Sequence, residues 1–321
     1  MASAEGDRLW SYRQQQLAGD LPVLELPVDH SRPPVQTYRG PSLSFDVDTT
    51  VTQATQKIVT QTTVRVMIAT TPTSNWLTCP KPNPRASMRL FCFPYAGGRA
   101  AVFRTWPDEL PAGIEFYVIE LPSRGRRIKE PPITRIEPLV RGIAGAIEPL
   151  LDKPFCFFGH SMGALTSFEL ARLLRREGRP LPLHLFVSGA VAPQFRDSHP
   201  VTFDLPEPEF LDVLRRLNGT PSEVLENEEL LQLVLPTLRA DFELLQVYEY
   251  ADEPPFSFPI TAFGGLQDKE VSPEDLEAWR VQTASTFILR NFPGDHFFLH
   301  SDRSRLLWAM SQQLVSLVSR R

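Results

Sequence analysis

Residues 155–163 read Phe-Cys-Phe-Phe-Gly-His-Ser-Met-Gly, an apolar run that ends in Gly159-x-Ser161-x-Gly163 and leads into a stretch rich in Ala, Leu, Glu and Arg. This constrains the fold more than any other feature. The apolar run reads as a buried strand and the following stretch as a helix. The turn between them must be tight enough to lift a serine hydroxyl above a sheet. Flanking glycines let two backbones approach without a Cβ clash. A lone G-x-S-x-G is weak; in this strand–turn–helix setting it makes Ser161 a candidate nucleophile.

The rest of the chain after Met88 fits such a sheet. Strands are expected at 88–93, 115–120, 154–159, 183–189, 259–264 and 285–292. Most are short apolar runs without alternation, as parallel strands covered on both faces require. Helices are expected at 136–151, 164–177 and 273–284. Alternating strands and helices imply an α/β architecture with a mostly parallel central sheet flanked by helices. About seventy residues separate Gly189 from Pro259, far more than a crossover needs. Within that gap Phe210, Leu211, Leu214 and Leu217, then Leu230, Leu231, Val234, Leu235 and Leu238, are spaced as on amphipathic helices. The plain interpretation is extra helices packed on the core. The functional one is a helical lid, approximately 195–250, whose inward apolar residues would form an acyl-binding channel.

Composition narrows the class. The formal net charge of −5 gives no support for nucleic-acid binding. No apolar run approaches membrane-spanning length and the N-terminus has no apolar signal core, so a cytoplasmic protein is expected. The cysteines, Cys79, Cys92 and Cys156, are odd in number and lack metal-ligand spacing. Cys92 and Cys156 lie in apolar runs and read as buried thiols.

A serine nucleophile needs a base within hydrogen-bond reach, and the base needs an orienting acid. On a sheet of this kind the chain order is Ser, acid, His, with both partners on loops after strand ends. His296 follows the run 287–292 and the turn Pro293-Gly294-Asp295; Asp268 follows 260–263 and the loop Gly264-Gly-Leu-Gln267. The rivals are weaker. His300 is further from the strand end, and His160 sits inside the elbow, where packing is the simpler role. His30, His184 and His199 read as surface or structural. Asp295 is too close to His296 in sequence to orient it, and Asp275 lies on the following helix. Acyl transfer also needs donors for the developing oxyanion. One is the N–H of Met162. The second is expected in the loop Pro94-Tyr95-Ala96-Gly97-Gly98, from Ala96 or Tyr95.

Five ordered motifs, Phe93-Pro-Tyr-Ala-Gly-Gly98, Glu120-Leu-Pro-Ser-Arg-Gly125, Gly159-His-Ser-Met-Gly163, Gly264-Gly-Leu-Gln-Asp268 and Gly294-Asp-His-Phe-Phe298, resemble those of the type II thioesterases of nonribosomal peptide and polyketide synthase clusters. The resemblance runs from about Ser74 to the C-terminus. It implies an α/β-hydrolase fold with a helical lid and hydrolysis of wrong or stalled acyl groups from the phosphopantetheine arm of acyl or peptidyl carrier proteins. It implies the triad Ser161, Asp268 and His296, with the Ala96 and Met162 amides as oxyanion hole, and no metal or dissociable cofactor. One departure is Ser123, where the family more often has Gly. The basic residues Arg124, Arg126 and Arg127 are candidate contacts for an acidic carrier surface, against the plain alternative of a solvated face.

The N-terminal stretch 12–40 instead resembles an internal piece of a peptide-synthetase condensation domain, whose His-His-x-x-x-Asp-Gly motif is absent. The expected organisation is therefore a vestigial, irregular or partly disordered segment 1–66, a linker 67–87 and a hydrolase domain 88–321, with the first segment dispensable. Three alternative functions share the motifs: a carboxylester hydrolase on free small molecules, a chain-releasing thioesterase, and a non-catalytic remnant that binds synthetase modules.

Overall fold

The computed structural model describes residues 74–198 and 201–319. The condensation-like segment 1–66 lies outside them, as does the linker up to residue 73. Among the described residues the sheet has seven strands: β1 (Leu77–Thr78), β2 (Met88–Phe93), β3 (Ile114–Ile119), β4 (Phe155–His160), β5 (Leu185–Ser188), β6 (Ile260–Gly265) and β7 (Phe287–Phe292). Their order is β1-β3-β2-β4-β5-β6-β7. Every neighbouring pair is parallel except β1 with β3. β1 falls within the stretch read as linker, where Leu77 pairs opposite Ile119.

Strands β2, β3, β4 and β5 are buried at every position. Successive side chains still point to opposite faces. Phe91, Phe93 and Phe157 therefore join one core, and Leu90, Cys92 and Phe158 the other. Helices α1 (Ile136–Ile147) and α2 (Met162–Arg176) cover the first face through Val140, Ile143, Phe168 and Leu174. The last helix, named below, covers the second through Leu306, Met310 and Leu314. The expected helix 136–151 stops as α-helix at Ile147 and continues as a 3-10 turn, Glu148–Leu150. Pro149 has no N–H to extend the α ladder. The stretch 273–284 is likewise divided, into an α-helix at Pro273–Glu277 and a 3-10 turn at Ala278–Gln282.

The long gap forms helices α3 (Glu207–Leu217), α4 (Ser222–Leu225) and α5 (Glu228–Gln246). Asn218 ends α3 in the left-handed conformation, and the Asn227 side chain caps α5 by accepting from the Leu230 N–H. Phe210, Leu214, Leu231, Leu235 and Leu238 form a separate small core. The lid is thus helices that pack on one another as well as on the sheet. After it come α6 (Pro273–Glu277), α7 (Phe298–Ser301) and α8 (Arg303–Ser319).

Sheet order locates the site. From β2 the chain steps to β3 on one side and then to β4 on the other. The loops after β2 and β4 therefore diverge, opening a crevice at their C-terminal ends, where parallel sheets bind ligands.

Candidate active site

Ser161 sits in that crevice with φ 53° and ψ −114°, outside the usual regions for an L-residue. Close packing holds it there. A Cβ on Gly163 would lie 2.1 Å from the Phe93 carbonyl oxygen, and one on Gly159 2.1 Å from the Gly163 oxygen. Strand β2, strand β4 and helix α2 meet only because both positions lack a side chain. The Ser161 N–H donates to the Ser188 carbonyl at 2.8 Å, fixing the turn against β5.

Asp268 and His296 come together as the chain order required. His296 Nδ1 lies 2.8 Å from Asp268 Oδ2. Asp268 Oδ1 accepts from the N–H groups of Glu270, at 2.8 Å, and Val271, at 3.2 Å. Its side chain is 1% exposed and that of His296 12%. Because a carboxylate only accepts, Nδ1 carries the ring proton and Nε2 is left as the basic nitrogen. The two loops are tied directly: Gly294 N–H donates to Gln267 Oε1 at 2.6 Å, and Gln267 N–H to the Gly294 carbonyl at 2.9 Å.

Ser161, His296, Tyr95 and Ala96 line one cavity of about 200 Å³. Leu214, Leu217, Leu238, Phe242 and Leu245 make its apolar wall, so the lid helices do face inward. A second cavity, of about 320 Å³, shares Tyr95, Ala96, Gly219, Thr220 and Leu238 with the first and runs past Gly97, Arg99, Ile128 and Leu233. Met162 opens α2, where first-turn N–H groups lack an intrahelical acceptor.

The rival residues have other tasks. His160 is fully buried with Nδ1 2.9 Å from Ser188 Oγ. Burial first, then the neighbouring His296 and His300, hold its pKa well below the usual imidazole value. His184 is buried against Phe186 and bonded to Thr261 Oγ1, and burial pushes its pKa down to about 3. His300 Nε2 lies 3.1 Å from Tyr95 Oη. Asp295 engages Asn218 and the Phe297 N–H, and Asp275 completes a capping box with Ser272. His30 and His199 lie outside the described residues. Cys92 and Cys156 are buried free thiols.

The basic run needs correction. Arg124 and Arg127 are 4% and 5% exposed and cannot meet a partner's surface. Arg124 forms a two-pronged pair with Asp241 of α5. Arg127 bonds Glu130 and the Glu120 carbonyl and lies over the Trp76 ring. A guanidinium fork can satisfy its donors inside a protein when acceptors are arranged around it. Arg126 remains exposed. Sequence reasoning missed Asp241. The available signal was an acid placed among Leu231, Leu235, Leu238 and Leu244, on the apolar face of an amphipathic helix.

Residues 88–314 match the family described as "Thioesterase domain". The chain belongs to this family. It is an α/β-hydrolase-fold enzyme that acts on thioesters. It is 46% identical over 246 residues to "Linear gramicidin dehydrogenase LgrE" of Brevibacillus parabrevis, covering 76% of this chain and 94% of that one. That name denotes a redox enzyme, whereas the matched family and the solved relatives are thioesterases. The thioesterase RedJ from the prodiginine pathway of Streptomyces coelicolor shares 39% identity with a TM-score of 0.67, over 71% of this chain and 90% of that one. YbtT, a type II thioesterase from the yersiniabactin NRPS/PKS pathway, shares 30% identity with a TM-score of 0.67, over 74% and 97%. These relatives bear out the resemblance to type II thioesterases. Among the described residues no helix is long and apolar enough to cross a membrane.

Proposed function

We propose that this thioesterase is an editing enzyme. It hydrolyses aberrant or stalled acyl and aminoacyl groups from the phosphopantetheine arm of carrier proteins in a nonribosomal peptide or polyketide synthase, in the cytoplasm. The observation that carries this is the pair of cavities that share Tyr95 and Ala96, the first of them lined by Ser161. A thioester on a long arm has two limbs, one each side of the reacting carbonyl. A site with two apolar channels at one junction suits it better than a small free ester.

His296 Nε2 takes the Ser161 proton as Oγ attacks the carbonyl carbon. The oxyanion is held by the Ala96 and Met162 N–H groups. Collapse breaks the C–S bond and the thiolate leaves with the proton from His296. Water, deprotonated by the same nitrogen, then cleaves the acyl-enzyme to a free acid and restores Ser161. Asp268 holds the imidazole tautomer and stabilises its cation. Every proton transfer is made by these side chains and no cofactor takes part.

The test is hydrolysis of a panel of acyl- and aminoacyl-loaded carrier proteins beside the matching free esters. The expected result is preference for carrier-bound acyl groups and no turnover by Ser161→Ala. Equal or better turnover of free esters would favour the carboxylester hydrolase.

A further inference from the structure

The loop Tyr95–Gly98 is held from outside by an acid of the lid. Tyr95 to Gly98 form a turn in which the Gly98 N–H donates to the Tyr95 carbonyl at 2.8 Å. Gly97 has φ +74°, the value that the third residue of a type II turn requires. The Tyr95–Ala96 peptide, fixed through its carbonyl by that bond, carries the Ala96 N–H. Two consecutive glycines make such a turn conformationally soft, since glycine adopts either hand of φ at little cost. Movement of this soft turn as a body would carry the Ala96 N–H with it.

One group opposes that movement. Asp241 Oδ2 accepts from the Gly97 N–H at 2.7 Å. The same oxygen accepts from Arg124 Nη1 at 2.6 Å, and Oδ1 from Arg124 Nη2 at 2.6 Å. Arg124 is held in turn by the Pro122 carbonyl, at 3.1 Å from Nε. The side chains of Arg124 and Asp241 are 5% and 3% exposed. One turn earlier on α5, Thr237 Oγ1 donates to the Ser123 carbonyl at 2.8 Å, so one helix face grips both loops. We propose that Asp241 is a positioning residue for the reaction: with Arg124 as its support, it anchors the loop at the Gly97 N–H and so holds the Ala96 N–H toward the developing oxyanion. The proposal rests on the serine-hydrolase reading above and adds a lid residue to it.

The geometry also says what each substitution does. An amide at position 241 that turns its oxygen to Gly97 and Arg124 Nη1 sets its NH2 against Arg124 Nη2, so Asp241→Asn breaks the two-pronged pair and loosens the support of the Gly97 bond. Asp241→Glu keeps the charge beside Arg124, whose long side chain can follow, but displaces the carboxylate by a methylene from the fixed Gly97 N–H. Both variants of the full chain would be assayed on an acyl-N-acetylcysteamine thioester. The inhibition constant of an alkylboronic acid, which forms a tetrahedral anion on a serine hydroxyl, would be measured in parallel. Cooperative melting above the assay temperature confirms folding, and Asp241→Glu carries the test should Asp241→Asn fail to fold.

The expected result is a kcat lower by about 10- to 100-fold, the scale of a misaimed oxyanion donor, with KM within about twofold. The boronate should weaken by a similar factor. If kcat falls while boronate affinity stays at the wild-type value, Asp241 is only structural and the proposal fails. Wild-type kcat in a folded variant overturns it equally. Activity in Ser161→Ala would instead sink the underlying serine mechanism, a separate outcome.

Discussion

Replacing Asp268 by Asn should nearly abolish turnover without unfolding the site, and the hydrogen bonds say why. Oδ1 of Asp268 faces two backbone donors, the N–H groups of Glu270 and Val271. An amide placed there must keep its oxygen toward those donors, since the flipped amide would set NH2 against two N–H groups. Its NH2 is therefore directed at His296 Nδ1, now 2.8 Å from Oδ2. A donor at that position forces the ring proton to Nε2, and the nitrogen proposed to deprotonate Ser161 can no longer take a proton. The loss in kcat should approach about 10⁴-fold, the magnitude known for the same change in a serine protease triad. That corresponds to about 5 kcal/mol of transition-state stabilisation. Melting temperature should change little, because both backbone bonds survive. The assay is steady-state hydrolysis of an acyl thioester with thiol release followed by a disulfide reagent, beside a thermal melt. A loss of less than tenfold in a folded variant would refute the tautomer argument.

Three further outcomes follow from the packing of the structure. Gly163→Ala places a methyl 2.1 Å from the Phe93 oxygen, a backbone atom that cannot yield cheaply, so it should cost at least about 1–3 kcal/mol by chemical denaturation; unchanged stability would contradict the elbow packing. His184, neutral when folded with a pKa of about 3 against 6.5 free, binds a proton more readily in the unfolded chain. Its contribution to stability is therefore full above about pH 6.5 and falls by about 1.4 kcal/mol per unit as pH drops toward 3; His184→Gln should flatten that slope in denaturation curves, and an unaltered slope would exclude His184 as a source. Val213→Trp fills part of the cavity of about 200 Å³ and should raise KM for long acyl groups while sparing short ones, as a chain-length series would show.

Much of the candidate site could be read from residue order. Ser161, Asp268 and His296 each follow an apolar strand and precede or enter a turn, and parallel α/β sheets place such loops at one edge. Period and composition were enough for the strands, because β2 to β5 are buried throughout and carry no competing pattern. The exact helix ends were less legible. Pro149 turned a long helix into two pieces, a local effect that apolar spacing does not register.

The arginine run shows the opposite limit. As letters, Arg124, Arg126 and Arg127 are one basic stretch. In space they separate: Arg124 turns inward to Asp241, Arg127 turns inward to Glu130 and the Trp76 ring, and Arg126 stays outside. Asp241 lies 117 positions from Arg124, and no local pattern links them. Ser123 has φ 66°, where Gly is easier, and its hydroxyl lies 2.7 Å from the Thr237 hydroxyl on the lid, a partner equally remote in sequence.

The sequence alone determined the strand–turn–helix elbow, the parallel sheet and the order of the candidate triad, since each depends on local pattern and chain direction. Tertiary structure alone decided which arginines are buried, which lid acid reaches the Tyr95–Gly98 loop and which residues the two cavities share. Those depend on contacts between residues far apart in the chain, whose partners are set only when the lid closes over the sheet.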